Sequence, residues 1–369
     1  MKKFCLILGQ LLLISLTACG NSSSTDVDAD IALSSSILSF TASGGDASVE
    51  VTAPGEWDAT PSDAWIRVVK TGTLSSKGEI KVEVEPNGLR NARSGSVLVQ
   101  SRSSRAEIKI SQEGKEMPSG PVDEPDGYSL VWSDEFDGKE LSRADWTYEV
   151  QGPGWVNNEL QTYVSAAYDG KPVTEVGDGS LKIHCFKASD GKICSARIYA
   201  HVNSGWKYGI IEASIRLPKG KGTWPAFWMM PVANDWSKTP WPMCGEIDIM
   251  EEVGYHPDYT SSSIHCDSYN HVKGTQKTAE RFTKGAEDDF HVYRLEWTED
   301  YIRTYVDGSL LLNFANDGKG NISTWPFNRA FYPILNLAWG GDWGGAQGVD
   351  EKCLPVTMEV DYVRVFQKK

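Results

Sequence analysis

An all-β protein is what this sequence predicts: a large antiparallel β-sandwich preceded by a smaller one. Three observations lead there. Short segments alternate apolar and polar side chains, the period-2 signature of strands with one buried face. Gly, Pro, Asn and Asp pairs punctuate them. No stretch of helical length carries a competing amphipathic period. With 369 residues, 40% hydrophobic and 23% charged, the chain has room for two such units.

The first residues address the chain rather than fold it. Lys2 and Lys3 precede an apolar run, Leu6 to Leu16, too short to span a bilayer. It ends in Leu16-Thr17-Ala18-Cys19, which resembles a bacterial lipobox. The resemblance implies a lipoprotein signal peptide over residues 1–18, cleavage before Cys19, and lipidation of the Cys19 thiol. The expected mature protein is then membrane-anchored, and Gly20 in place of Asp favours the outer membrane and the cell surface. The alternatives are the periplasmic face, or secretion after an ordinary signal. Residues 19–30, rich in Ser and Asp, read as a tether.

Residues 31–114 form the smaller unit. Ala47–Val51, Glu79–Val84, Ser96–Val99 and Ala106–Ile110 alternate, and Gly44-Gly45, Pro54-Gly55 and Asn87-Gly88 supply turns. This rhythm predicts a small immunoglobulin-like β-sandwich. The pattern Phe40, Gly44-Gly45, Trp57, Trp65-Ile66, Asn87, Arg93 and Ile110 to Gly114 resembles a BACON domain, a module of Bacteroidetes carbohydrate-active proteins. A spacer role is expected, since Trp57 and Trp65 read as core residues; sugar binding is the alternative. Residues 115–127 contain Pro118, Gly120, Pro121, Pro125 and Gly127 and read as a linker reaching about 40 Å when extended.

Residues 128–369 carry the larger unit. Its strands include Leu181–His184, Ile210–Leu217, His291–Trp297, Tyr301–Gly308 and Met358–Phe366. Twelve of the 14 Trp fall after residue 125, and flat rings beside carboxylates suit the C–H faces of sugars. The formal charge of −14 argues against a nucleic-acid partner, since phosphate binding needs a basic surface. Cys185, Cys194, Cys244, Cys266 and Cys353 remain after the leader and Cys19. An odd number does not read as a disulfide framework, although Cys185 with Cys194 and Cys244 with Cys266 flank turns. Buried free thiols are expected. No spacing resembles a zinc site.

One stretch concentrates chemistry: Glu246-Ile247-Asp248-Ile249-Met250-Glu251. In a strand, Glu246 and Asp248 share one face while Ile247 and Ile249 share the other. Glu251 has the wrong parity. One extra residue, a β-bulge around Ile249 or Met250, returns it to the face of the first two. Three acids on one face can supply the proton donor and the nucleophile that a glycosidic bond requires. Glu252 would point the other way and reads as structural or solvent-facing.

The surrounding residues resemble a family. Trp132 to Phe136, Asn157 to Gln161, Tyr208-Gly209 with Glu212-Ala213, Trp224 to Met229, Trp241-Pro242 leading into Gly245 to Glu251, Asp307-Gly308, Trp325 to Phe327, Gly340 to Gly345 and Val360 to Val365 are similar, in order, to glycoside hydrolase family 16. The likeness is greatest to its laminarinases, the endo-β-1,3-glucanases. It implies a concanavalin-like jelly roll with a carbohydrate cleft on its concave face. It also implies Glu246 as nucleophile, Glu251 as general acid and then base, and Asp248 tuning between them. Retention follows, with carboxyl groups about 5–5.5 Å apart. Trp241, Trp224, Trp228, His265, Arg197, Asn157 and Trp343 are the implied sugar-binding residues, with Trp224 the more exposed of its pair and Trp343 presented by a glycine-rich loop. Catalysis needs no cofactor. A structural calcium is implied through positions Glu135, Gly179 and Asp361, hard oxygens suiting that ion. The expected protein is a monomer acting on β-glucan. Alternatives are a mixed-linkage β-1,3-1,4-glucanase, an agar-type galactanase, or a non-catalytic glucan-binding surface lipoprotein.

Overall fold

A computed structural model describes residues 30–71, 76–87, 92–102, 104–114, 122–202 and 204–369. The signal peptide, Cys19 and most of the tether and linker lie outside the described residues.

The N-terminal unit is two four-stranded sheets. One holds Ala32–Leu33, Gly45–Thr52, Lys77–Val84 and Ile66–Thr71; the other holds Ile37–Phe40, Ser104–Gln112, Arg93–Ser101 and Trp57–Pro61. Alternation explains the core directly. Val49 and Val51, Ile80 and Val82, Val97 and Val99, and Ile108 and Ile110 all turn inward. Trp57 is buried with them, while Trp65 packs at the edge under the Arg93 guanidinium, 4.3 Å from its ring centre.

The C-terminal unit is a sandwich of a seven-stranded and a ten-stranded sheet. The seven strands are β1 (Trp146–Tyr148), β2 (Arg197–Ala200), β3 (Thr223–Pro231), β4 (Glu246–Glu251), β5 (Tyr259–His265), β6 (Lys277–Phe282) and β7 (Phe331–Trp339). Their spatial order is β1-β2-β7-β3-β4-β5-β6. The ten-stranded sheet centres on Val356–Lys368, which pairs with Ser180–Lys187, Gly209–Arg216 and Tyr128–Asp134. A strand beginning at Tyr128 is therefore built into the sandwich.

Each sheet gives one face to a shared core. Phe227, Met229, Ile247, Ile264, Leu335 and Leu337 come from the seven-stranded sheet, and Ile211, Ala213, Leu295, Val360 and Val363 from its partner. Trp297, Trp339, Phe327 and Phe331 are wholly buried, each contributing about 2–3 kcal/mol from area alone. Turn chemistry follows the sequence as well. Asp307 (φ 48°) and Gly308 (φ 74°) are both left-handed, as a two-residue hairpin requires. All five described cysteines are free, four of them buried.

Candidate active site

The register of β4 answers the parity puzzle. Against β3, Trp228 pairs with Asp248 and Phe227 with Met250, so Ile249 is the extra residue. Against β5, Asp248 faces Ser263 while Glu251 faces Ser261. Two residues thus oppose one, and Glu251 returns to the face of Glu246 and Asp248. Ile249 turns into the core, 1% exposed, which holds the bulge in place.

Rows across the sheet collect the rest of the site. Arg197 pairs with Asn336, Asn336 with Ala226, and Ala226 with Glu251. Glu246 pairs with His265. Trp224 and Trp228 lie two residues either side of Ala226, so they share that face. Gly245 carries φ 86°, and a Cβ there would lie 2.8 Å from Pro326. Glycine therefore lets the chain turn into β4 under that loop. Arg329 secures the same turn by donating to Asn234 Oδ1 and to the Cys244 carbonyl.

Two indoles hold the two outer carboxylates. Trp241 Nε1 donates to Glu246 Oε2 at 3.0 Å, and Trp224 Nε1 donates to Glu251 Oε1 at 2.9 Å. Between them, Asp248 Oδ2 lies 3.2 Å from His265 Nε2, which is itself 3.9 Å from Glu246 Oε1. Burial pushes Glu246 up to about 8, with the Asp248 charge adding to it and His265 and Trp241 opposing. Burial likewise pushes Glu251 up to about 8, Asp248 adding and the Trp224 hydrogen bond opposing. Asp248 is raised well above the carboxylate range by burial. Three acids in so little water cannot all ionise. The patch therefore holds protons near neutrality, as a general acid needs.

Trp224 and Trp228 are both partly exposed, and Trp228 also packs against buried Met230, Cys244 and Ile334. Trp228 donates to Asn336 Oδ1 at 2.7 Å. The Arg197 guanidinium lies 4.5 Å from the Trp228 ring centre and 4.9 Å from that of Trp155, with Glu149 Oε2 2.6 Å from its Nε. Asn157 is exposed and left-handed at φ 48°. The glycine-rich stretch is no loop but closes one helical turn over Gly341–Gly344. It sets the Trp343 ring against Trp224, centroids 5.5 Å apart at 81°.

Several site residues carried too little local pattern to single out. Glu159 is buried and accepts from Gln161 Nε2, Tyr163 Oη and Asn157 Nδ2. Its position within Asn157 to Gln161 was the available signal. Tyr163 in turn accepts from Asn336. Trp155, 41% exposed, and His271, whose ring lies 5.0 Å from Trp241, sit on connections where periodicity says nothing. Glu252 is not solvent-facing. It is 1% exposed and accepts from the Asp258 amide, the structural one of its two expected readings. At the expected calcium position, both Glu135 carboxylate oxygens accept from Arg364, whereas Asp361 is exposed and Gly179 is a left-handed turn. The Glu135 carboxylate is thus already committed to a cation.

A two-layer β-sandwich carrying a bulged triad of acids walled by indoles defines a glycoside hydrolase that works through paired carboxylates. The chain belongs to the glycosyl hydrolases family 16, whose model matches residues 161–364. It is 43% identical over 247 residues to a β-glucanase of Rhodothermus marinus, covering 65% of this chain and 85% of that one. It is 37% identical over 257 residues to a glucan endo-1,3-β-glucosidase of Cryptopygus antarcticus, covering 64% and 90%. The solved laminarinase of Rhodothermus marinus superposes with a TM-score of 0.62 at 42% identity, over 66% of this chain and 98% of that one.

Proposed function

We propose that the chain is an endo-acting, retaining β-1,3-glucanase that cleaves laminarin-type glucan by double displacement. The observation that carries the mechanism is the single-residue bulge at Ile249, which brings Glu246, Asp248 and Glu251 to one face. The preference for β-1,3-glucan rests on the named activities of the relatives.

Glu246 is the nucleophile, the role its place in the family's motif implies, with the Trp241 N–H and His265 beside it to favour its anion. It attacks the anomeric carbon as protonated Glu251 gives its proton to the departing glycosidic oxygen. The bond from carbon to leaving oxygen breaks and a glycosyl ester of Glu246 forms. Glu251, now ionised, takes a proton from water, whose oxygen displaces Glu246 from the opposite side. Two inversions give retention. Asp248, buried between them and held above the carboxylate range, is likewise protonated and orients the Glu246 anion by donating to it.

The rest of the proposal concerns placement. The lipobox supports a lipid anchor at the outer membrane, the BACON-like unit a spacer between anchor and enzyme, and the chain works as a monomer. Any structural calcium would use the Asp361 carboxylate with the backbone oxygens of Glu135 and Gly179. Product analysis on laminarin, barley glucan, lichenan and agarose, with anomeric configuration followed over the first minutes, tests the central reading. Retained products from laminarin are expected. Inverted products, or a Glu246→Ser variant hydrolysing at the wild-type rate, would overturn it.

A further inference from the structure

Glu246, Asp248 and His265 do more than share a face. Among the described residues they are the one group of three metal-capable side chains whose ligand atoms all lie within 4.8 Å of one another. We infer that this trio is a binding site for a borderline transition-metal ion of the Zn2+ type, entered from the cleft, and that the filled site blocks glucan cleavage.

The geometry is close to that of a tetrahedral ion. Nitrogen and oxygen ligands sit about 2.0–2.2 Å from Zn2+, which places neighbouring ligand atoms about 3.3–3.6 Å apart. His265 Nε2 is 3.2 Å from Asp248 Oδ2 and 3.9 Å from Glu246 Oε1, bracketing that spacing. A second observation supports the spacing. Asp248 is 3% exposed, and its Oδ2 accepts no aligned hydrogen bond, with His265 Nε2 3.2 Å away. A buried oxygen without an aligned donor is the costly part of a site, and it is already in place. Glu246, the most exposed of the three, leaves the fourth position open to the cleft.

The donor set also selects the ion. One imidazole nitrogen with two carboxylate oxygens suits Zn2+, Cu2+ or Ni2+, whereas Ca2+ and Mg2+ need more oxygens and avoid imidazole. A bound ion occupies the oxygen lone pair that Glu246 would use on the anomeric carbon. Inhibition competitive with glucan follows; that consequence rests on the proposed mechanism, whereas binding does not.

The test uses the full chain freed of metal by a chelator. ZnCl2 titrated by calorimetry should bind one ion per chain at this site. Affinity should fall at least about tenfold in His265→Ala and in Asp248→Asn, by analogy with the losses that follow disturbing a metal's outer shell. It should be unaltered in His256→Ala, which removes the exposed His256–Glu280 pair, 3.7 Å apart. Co2+ in the wild type should give a tetrahedral visible spectrum without thiolate bands, a reading that stands even if a ligand variant fails to fold. Zn2+ should raise KM for laminarin and leave kcat. An absence of saturable binding, an octahedral or thiolate-type cobalt spectrum, or undiminished affinity in both ligand variants would overturn the site. A chain that binds Zn2+ as described but leaves every glucan intact would sink the glucanase reading alone.

Discussion

Trp241→Phe isolates one atom of the site. The substitution keeps a ring beside Glu246 and removes the N–H that donates to its Oε2 at 3.0 Å. That bond favours the ionised carboxylate and opposes the upward push of burial and of Asp248. A hydrogen bond to a charged group contributes about 1.5–3 kcal/mol. At 1.36 kcal/mol per tenfold, the anion of Glu246 becomes roughly 10- to 150-fold scarcer at pH values where it is the minor form. The nucleophile must be ionised, so the acidic limb of kcat/KM moves to higher pH. Below that limb, activity falls by the same roughly 10- to 150-fold, while the plateau changes less. The assay is a pH profile of kcat/KM on a soluble laminari-oligosaccharide. A uniform loss at every pH, with the limb unmoved, would show that Trp241 is only a wall for the sugar and would refute the reasoning.

Three further outcomes follow from the same structure. Deleting Ile249 removes the two-against-one count and turns Glu251 away from Glu246, so activity should fall roughly 100- to 10,000-fold, the worth of a general acid; Ile249→Ala keeps the count and should lose about 2–4 kcal/mol of stability while staying active at low temperature, and equal losses in the two variants would contradict this. Glu252 is pushed up to about 9 by burial, with Glu287 and Asp258 adding to it and the Asp258 amide opposing, so its contribution to stability is complete below about pH 4.5 and declines as pH rises toward 9; Glu252→Gln should melt with the wild type at pH 4 and above it at pH 8, measured by calorimetry. Gly254→Ala would place a Cβ 1.9 Å from the Gly220 carbonyl oxygen, and denaturant unfolding should show a loss of about 1–3 kcal/mol.

Legibility in the sequence tracked locality. Alternation found the strands because a half-buried sheet forces it: Val49 and Val51 or Ile247 and Ile264 could face inward only by that period. The bulge was legible because three acids on one strand conflict in parity, and a single extra residue resolves the conflict. What escaped was set by partners distant in the chain. Glu252 is buried with Glu287 and Asp258 beside it, and alternation alone left its role open between structural and solvent-facing. The Trp155–Arg197–Trp228 stack joins a connection to two strands, and periodicity carries no information about connections. The stretch Gly340 to Gly345 reads as a tight glycine-rich loop, yet it coils into a helical turn because Gly341 packs on Glu159 and Gly344 on Trp224, where a Cβ would lie 2.9–3.1 Å from those side chains.

The pairing of one indole with each outer carboxylate links recognition to reactivity. In the proposed mechanism, the surface that a sugar ring rests on and the group that attacks or protonates it are joined by one hydrogen bond. A polymer whose rings lie at the wrong tilt would displace the indole, and the indole would carry the carboxylate out of line with the bond. Such a polymer would be held but not cut. Discrimination between glucans is then exercised in turnover more than in affinity, since the fit that counts is the one realised as the bond breaks.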